Sequence, residues 1–196
     1  MEKNQINPDF KVVIIGGSAG SLSVLMQILP QLPVIKSYAL VIVLHRRSTD
    51  EQTLEELITL KVSSNVKAVE DKEPFLPGCV YVAPSNYHLL FEKNNVLSLD
   101  TSEKINYSRP SIDVSFESAA EVYKKQLTGI LLSGSNADGT QGLKAIQNAG
   151  GTIIVQDPES AEMPFMPNSA IQNTTPDYVL NIQGILDFIL SIDNEV

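Results

Sequence analysis

The stretch VVIIGGSAGS, residues 12–21, is the most informative part of this sequence. Its first four residues, Val12 to Ile15, are apolar and β-branched, which predicts a parallel strand buried on both faces. Gly16 to Gly20 then fits the pattern G-x-S-x-G, and an amphipathic helix follows from Leu22 to Leu29. A serine on such a strand-to-helix turn exposes its hydroxyl at the sheet edge, beside the free N–H groups of the helix N-terminus. The stretch therefore indicates a nucleophile at Ser18.

A glycine-rich turn of this kind has two other uses, which are close packing and phosphate binding. A second predicted strand, Leu40 to Leu44, ends in His45-Arg46-Arg47, where an arginine could hold the 2′-phosphate of NADP. The dinucleotide fingerprint G-x-G-x-x-G, however, requires glycine where this chain has Ser18 and Ser21. The sequence disfavours a nucleotide site but leaves it as an alternative.

Composition narrows the class of protein. A length of 196 residues suits one domain, and no apolar run is long enough to cross a bilayer. The net charge of −9, without a basic stripe, argues against nucleic acid and anionic membranes as partners. A single cysteine, Cys79, suits a reducing cytoplasm, and two histidines with one cysteine argue against a structural zinc site. We therefore expect a cytoplasmic protein without a metal or other cofactor.

Strand-like and helix-like segments alternate along the chain. This order predicts an α/β fold, with a doubly wound, mostly parallel sheet. An antiparallel hairpin near one edge is predicted at His88 to Leu99, around Asn94-Asn95. The region between the predicted strands Thr152–Val155 and Tyr178–Leu180 is expected to be a long loop broken by three prolines.

Polar side chains follow three of the predicted parallel strands. Ser18 follows the first strand, His45 follows the second, and Ser133 to Asp138 follow the strand Thr128–Leu132. Because the carboxyl ends of parallel strands meet at one edge of a sheet, these groups are expected to converge there. A serine, a histidine and an aspartate at one edge favour acyl-transfer chemistry.

Six short motifs occur in order along the chain. They are Ile15–Ser21, Val41–His45, Tyr81–His88, Ser108–Val114, Ser133–Gly139 and Gln156–Pro167. In the same order they resemble IGAS(T/A)GG, VxxQH, Y-(I/V)-A-P-x-x-x-H, RPSVDV, TGMGxDG and Q(D/N)xxS…GMP of the catalytic domain of the CheB-type chemotaxis protein-glutamate methylesterases. The resemblance extends over about residues 11 to 192. Single motifs are weak signals, whereas six in the same order are specific.

The resemblance implies a catalytic triad of Ser18, His45 and Asp138. In the family, the serine attacks the γ-carbonyl of a glutamate methyl ester, the histidine transfers the proton, and the aspartate holds the imidazole. Glutamine is deamidated by the same route. The implied partners are the cytoplasmic helices of methyl-accepting chemoreceptors.

The oxyanion hole implied by the resemblance consists of the backbone N–H groups of Ala19 and Ser135. Ser135 replaces the family's methionine, and Asn136 replaces its glycine. A changed side chain leaves a backbone donor in place, but the loss of glycine could alter the backbone angles of this loop. A non-catalytic signalling scaffold with the same fold therefore stays an alternative.

Three further residues are candidate substrate contacts, each with a structural alternative. Arg109 could position substrate or pair with a carboxylate, His88 could line the site or serve the hairpin, and Met166 could line the site or anchor its loop. We expect residues 1–10 to be a tail and 11–196 to form one catalytic domain without a receiver domain. A receiver or methyltransferase protein acting in trans is then a possible partner.

Overall fold

The computed structural model describes residues 11–46 and 51–193, with side chains from residue 54 onward in the second range. The predicted tail and Arg47 lie outside the described residues. The strands are β1 (Lys11–Gly17), β2 (Tyr38–Leu44), β3 (Asn65–Ala68), β4 (Glu73–Pro74), β5 (Cys79–Val82), β6 (His88–Glu92), β7 (Val96–Asp100), β8 (Leu127–Leu131), β9 (Thr152–Gln156) and β10 (Tyr178–Leu180). The α-helices are α1 (Ser21–Ile28), α2 (Glu51–Thr59), α3 (Ile112–Tyr123), α4 (Thr140–Asn148), α5 (Phe165–Asn173) and α6 (Ile182–Ile192).

Seven parallel strands form the main sheet, in the order β10-β9-β8-β1-β2-β5-β3. From β1 the chain first builds one side of the sheet, with β2 next to β1 and then β5 and β3. It then crosses to the other side of β1, where it forms β8, β9 and β10. The winding direction therefore reverses between β1 and β8. Ligands of such sheets bind in the crevice at this reversal, outside the carboxyl ends of the strands.

Both faces of the main sheet are covered by helices, as the run of β-branched residues predicts. Alternate side chains of β1 enter two separate cores: Val12 and Ile14 pack with residues of α3 and α4, whereas Val13 and Ile15 pack with residues of α1 and α6. The predicted α/β class and mostly parallel sheet are confirmed. None of the helices in the described part of the chain is long and apolar enough to span a membrane.

The predicted hairpin is present as β6 and β7, but it belongs to a separate sheet. The short strand β4 joins it in the order β4-β7-β6. Phe75, which follows β4, makes tilted or edge-to-face contacts with three rings, with centroid distances of 4.9 Å to Tyr81, 5.4 Å to Phe91 and 5.8 Å to Tyr123. This aromatic cluster attaches the small sheet to β5 of the main sheet and to α3.

The prediction of a long loop before β10 is wrong in part, because this region contains α5. Three prolines suggested irregular structure, yet Pro167 is the third residue of this helix. The first-turn N–H groups of a helix have no intrahelical acceptor, so a proline there removes no hydrogen bond. Met166 and Ala170, both 0% exposed, anchor the helix on the core.

The helices α3 and α4 approach each other closely at Gly142. A Cβ atom at Gly142 would lie 2.4 Å from Phe116 Cβ and 3.1 Å from Asp113 O. Gly142→Ala should therefore lower the free energy of unfolding by about 1–2 kcal/mol, although alanine is the better helix former. Urea unfolding measures this change, with the exposed neighbour Gln141→Ala as control. Equal stability of the two variants would contradict the close packing.

Candidate active site

Ser18 and His45 follow adjacent parallel strands in register. Gly17 at the end of β1 lies opposite Leu44 at the end of β2, and His45 N donates to Gly17 O at 3.1 Å. The next residues in both strands are thus brought side by side at the carboxyl edge of the sheet. Asp138 comes from the loop after β8, which flanks β1 on its other side. The predicted convergence is therefore present in the structure.

The turn that carries Ser18 is tight and closely packed. Ser18 N donates to Ser133 O at 2.9 Å, and Ser21 N donates to Ser18 O at 3.1 Å. A Cβ atom at Gly134 would lie 3.1 Å from Ser18 Cβ and 2.5 Å from Met166 Cε, so a larger residue there would displace Met166 and press on Ser18. The half-buried Ser18 has no hydrogen-bond partner for its hydroxyl among residues 11–46 and 51–193. Its oxygen is available to a ligand.

Asp138 is fully buried, and five donors surround its carboxylate. They are His45 Nε2 (2.7 Å), Ile112 N (2.7 Å), Ser111 Oγ (2.9 Å), Asp113 N (3.1 Å) and Asn106 Nδ2 (3.5 Å). Two of them are first-turn N–H groups of α3, where a helix end favours negative charge.

These contacts keep the buried carboxyl ionised. Burial by itself raises the pKa of Asp138, but the hydrogen bonds from His45 and from the Ile112 and Asp113 N–H groups outweigh it and lower the pKa to about 2. The carboxylate therefore carries its charge throughout the neutral range.

The contact between His45 and Asp138 defines the protonation of the imidazole. A carboxylate can only accept, so Nε2 carries a proton and donates it to Asp138 Oδ2 at 2.7 Å. In the neutral ring, Nδ1 then holds the free lone pair. His45 is 11% exposed at its side chain, so it is held in place but partly open to solvent. This arrangement supplies a base at the end of the strand next to the one that carries Ser18.

The two residues predicted to form the oxyanion hole, Ala19 and Ser135, lie next to Ser18 and Gly134 and have free backbone N–H groups in the described chain. Ala19 follows Ser18 directly, and Ser135 follows Gly134, which packs against Ser18. Both residues are exposed, and within the described chain neither N–H donates to a protein acceptor. Ser133 joins their loops, because its Oγ donates to Ala19 O at 2.7 Å.

Replacement of the family's glycine by Asn136 does not strain the loop. Asn136 is absent from the described residues that adopt positive φ, so the position does not need glycine. Its Oδ1 accepts from Asp138 N at 3.1 Å. The asparagine thus helps to orient the residue two positions later.

Arg109 and Met166, two of the candidate substrate contacts, make contacts within the protein. Arg109 Nη1 donates to Thr101 O and Ser102 O, both at 2.6 Å, and so ties the loop before α3. Met166 is 0% exposed and packs on Gly134 below Ser18. The structure therefore places Met166 behind the cleft and not on its surface.

His88 is likewise withdrawn from the cleft. It is 1% exposed, and both ring nitrogens form hydrogen bonds with backbone groups of the protein.

Two residues that contact Asp138 directly, Ser111 and Asn106, were not predicted from the sequence. A serine just before a helical segment is a recognisable N-cap signal, but only the fold shows that its hydroxyl serves a carboxylate.

The alternative of a dinucleotide site finds no support at Arg46. This side chain pairs with both carboxylate oxygens of Glu55 on α2, at 2.5 and 3.1 Å, and donates to Ala83 O at 2.9 Å. Its guanidinium is therefore engaged inside the protein. Within the described residues, no group of three His, Cys, Asp or Glu side chains could hold a metal ion.

A second buried carboxyl, Asp113, lies beside Asp138. Its Oδ1 accepts from Gly142 N at 2.8 Å, and its Oδ2 lies 3.3 Å from Asn106 Nδ2. Burial raises the pKa of Asp113 to about 6, against the lowering effect of the Gly142 N–H, and the charge of Asp138 adds to the rise. The two carboxyls thus share one site with opposite shifts of their pKa values.

The raised pKa of Asp113 predicts that replacing this aspartate with neutral asparagine stabilises the protein more at high pH than at low pH. An unfolded aspartate titrates near about pH 4, so the favourable contribution of the Asp113 proton is complete below that pH and is lost as pH rises through about 6. Asp113→Asn removes this loss, since its amide oxygen can still accept from Gly142 N. The variant should gain on the order of 1–2 kcal/mol over the natural protein between about pH 4.5 and 7.5.

Urea unfolding at both pH values measures this gain. Asp187→Asn, at an exposed aspartate of α6, makes the same chemical change without burial and should give no such difference. If the gain from Asp113→Asn is equal at the two pH values, Asp113 does not retain its proton in the folded protein.

Known proteins with similar sequences share one family. The family model described as CheB methylesterase matches residues 13–189. A Thermotoga maritima protein named protein-glutamate methylesterase/protein-glutamine glutaminase is 36% identical over 185 residues, which cover 93% of this chain and 54% of that protein. A Leptospira interrogans protein that carries the same name provisionally is 46% identical over 189 residues, covering 94% of this chain and 96% of that protein.

The fold agrees with the same family. The crystal structure of the Thermotoga maritima CheB methylesterase catalytic domain matches with a TM-score of 0.88 and 34% identity, over 93% of this chain and 98% of that one. The resemblance inferred from six motifs is confirmed by the family model and by this structure. With Ser18, His45 and Asp138 at the edge of such a sheet, the chain belongs to the CheB methylesterase family.

Proposed function

We propose that this protein hydrolyses γ-methyl esters of glutamate side chains in chemoreceptors, and deamidates glutamine by the same route. The observation that carries the proposal is the 2.7 Å contact between His45 Nε2 and the buried carboxylate of Asp138, next to the strand end that carries Ser18. Membership of the CheB methylesterase family and the names of the relatives support the same substrate class.

The first half of the reaction transfers the acyl group to the enzyme. Ser18 Oγ attacks the γ-carbonyl carbon and loses its proton to His45 Nδ1, because Nε2 is already bonded to Asp138. The negative charge that develops on the carbonyl oxygen is bound by the N–H groups of Ala19 and Ser135. The imidazolium then returns the proton to the departing methoxide, so methanol leaves and an acyl-Ser18 ester remains.

The second half regenerates the enzyme. Water attacks the acyl carbon while His45 Nδ1 accepts its proton, and that proton returns to Ser18 Oγ as the bond breaks. Glutamate is released. With a glutamine side chain, the leaving group is ammonia in place of methanol, and the remaining steps are unchanged.

Asp138 acts on the imidazole and does not exchange a proton. Because its pKa is lowered to about 2, it stays anionic while His45 becomes cationic, and the ion pair stabilises the transition state. The five donors also restrict the movement of the carboxylate, which holds the imidazole in one orientation.

The proposed partners are the cytoplasmic helices of methyl-accepting chemoreceptors, with a receiver or methyltransferase protein acting in trans. We propose that the described chain is one catalytic unit, which is supported by the single parallel sheet that joins all three proposed triad residues. We propose that this unit acts in the cytoplasm. The free thiol of Cys79 supports a reducing compartment.

The test of the function is methanol release from a methylated receptor. Ser18→Ala should lower the turnover about 10³-fold or more without loss of the fold, because no nucleophile remains. Ser23→Ala, at an exposed serine of α1, is the matched control and should retain the activity. Near-normal methanol release by Ser18→Ala would overturn the assignment. Absence of turnover in the natural protein would favour a non-catalytic scaffold.

A further inference from the structure

His88 is a buried titratable group that the proposed reaction does not use. It is the first residue of β6, is 1% exposed, and forms hydrogen bonds with two backbone groups. Nδ1 accepts from the backbone N–H of Ser111 at 3.2 Å, and Nε2 lies 3.0 Å from the backbone carbonyl of Glu103. An N–H can only donate and a carbonyl can only accept, so the ring is neutral and protonated at Nε2.

The Ser111 bond connects this imidazole to the proposed triad. Ser111 is the N-cap of α3, and its Oγ donates to Asp138 Oδ1 at 2.9 Å. Asp138 in turn accepts from His45. An unbroken path thus runs from the carbonyl of Glu103 through His88, Ser111 and Asp138 to the proposed base.

The geometry points to a positioning role for His88: through the Ser111 N–H it fixes the N-terminus of α3, and thereby the carboxylate that orients His45. Three of the five donors to Asp138 belong to consecutive residues 111–113, so a shift of this segment moves most of the carboxylate's environment. The role concerns the proposed hydrolase and rests on that function.

Loss of the Nδ1 acceptor should have a large effect, because Ser111 is 0% exposed and water cannot replace the acceptor without a structural change. A buried N–H without a partner carries an unfavourable desolvation energy, which the segment can relieve by moving away from its present position. Displacement of a catalytic array by about 1 Å commonly costs about 10²-fold in rate.

Two substitutions separate the two bonds of His88. The amide oxygen of asparagine occupies the place of Nδ1, so His88→Asn keeps an acceptor for Ser111 and loses the donor to Glu103. The amide of glutamine reaches the place of Nε2, so His88→Gln keeps the donor to Glu103 and loses the acceptor for Ser111. Each variant removes one hydrogen bond and part of one buried ring, which makes them a matched pair.

We expect His88→Gln to lower kcat for methanol release about 10- to 100-fold with little change in KM, and His88→Asn to stay within about threefold of the natural protein. Urea unfolding should show similar losses of stability for both. A His88 that served only the packing of the hairpin would give equal effects on kcat. Equal kcat values for the two variants, or the reverse order, would overturn the proposal.

A second measurement does not depend on the protein substrate. The rate at which a fluorophosphonate labels Ser18 reports the activation of the hydroxyl by His45, and it should fall in His88→Gln and be retained in His88→Asn. If labelling follows this order while no variant releases methanol, the positioning role holds and the proposed substrate is wrong. If labelling is equal in both variants, the positioning role is wrong whatever the substrate.

Discussion

The burial of one negative charge organises this active site. Asp138 is 0% exposed, and removal of a carboxylate from water costs several kcal/mol unless donors replace the lost hydration. Those donors come from α3, from its N-cap and from His45. The loop after β8 and the start of α3 therefore hold each other in place, and the imidazole is drawn into the same arrangement.

The topology of the sheet makes this meeting possible. Ser18 and His45 follow neighbouring strands in register, whereas Asp138 arrives on the opposite side of β1, where the winding reverses. Helices pack on both faces, so these residues lie in loops at the carboxyl edge, where sheets of this kind bind their ligands. The cores supply rigidity below these loops, and Gly134 packs closely between Ser18 and Met166.

Polar groups around the triad divide into those that face the cleft and those that support it. Ser18 is half-buried, and Ala19 and Ser135 are exposed. His88, Ser111 and Asp113 are buried and bond to the backbone or to Asp138. Such supporting contacts keep reacting groups in a narrow range of positions, which is the condition for efficient proton transfer between them.

Local pattern was sufficient for much of the fold and for the three triad candidates. Continuous β-branched runs predicted the parallel strands, and the G-x-S-x-G turn and the polar ends of β2 and β8 predicted Ser18, His45 and Asp138, because these signals are short and lie within single segments. The helix α5 was missed, since its prolines suggest a loop unless Pro167 is known to lie in a first turn.

The supporting contacts were decided only by the tertiary structure. Ser111 is more than 20 residues away in sequence from both His88 and Asp138, so no local pattern connects the three residues. Whether His88 faces the cleft or the interior depends on how the small sheet packs on α3, which is a property of the whole core. The sequence by itself determined the strands and the chemical groups at their ends, whereas the packing of distant segments decided which groups face substrate and which hold them there.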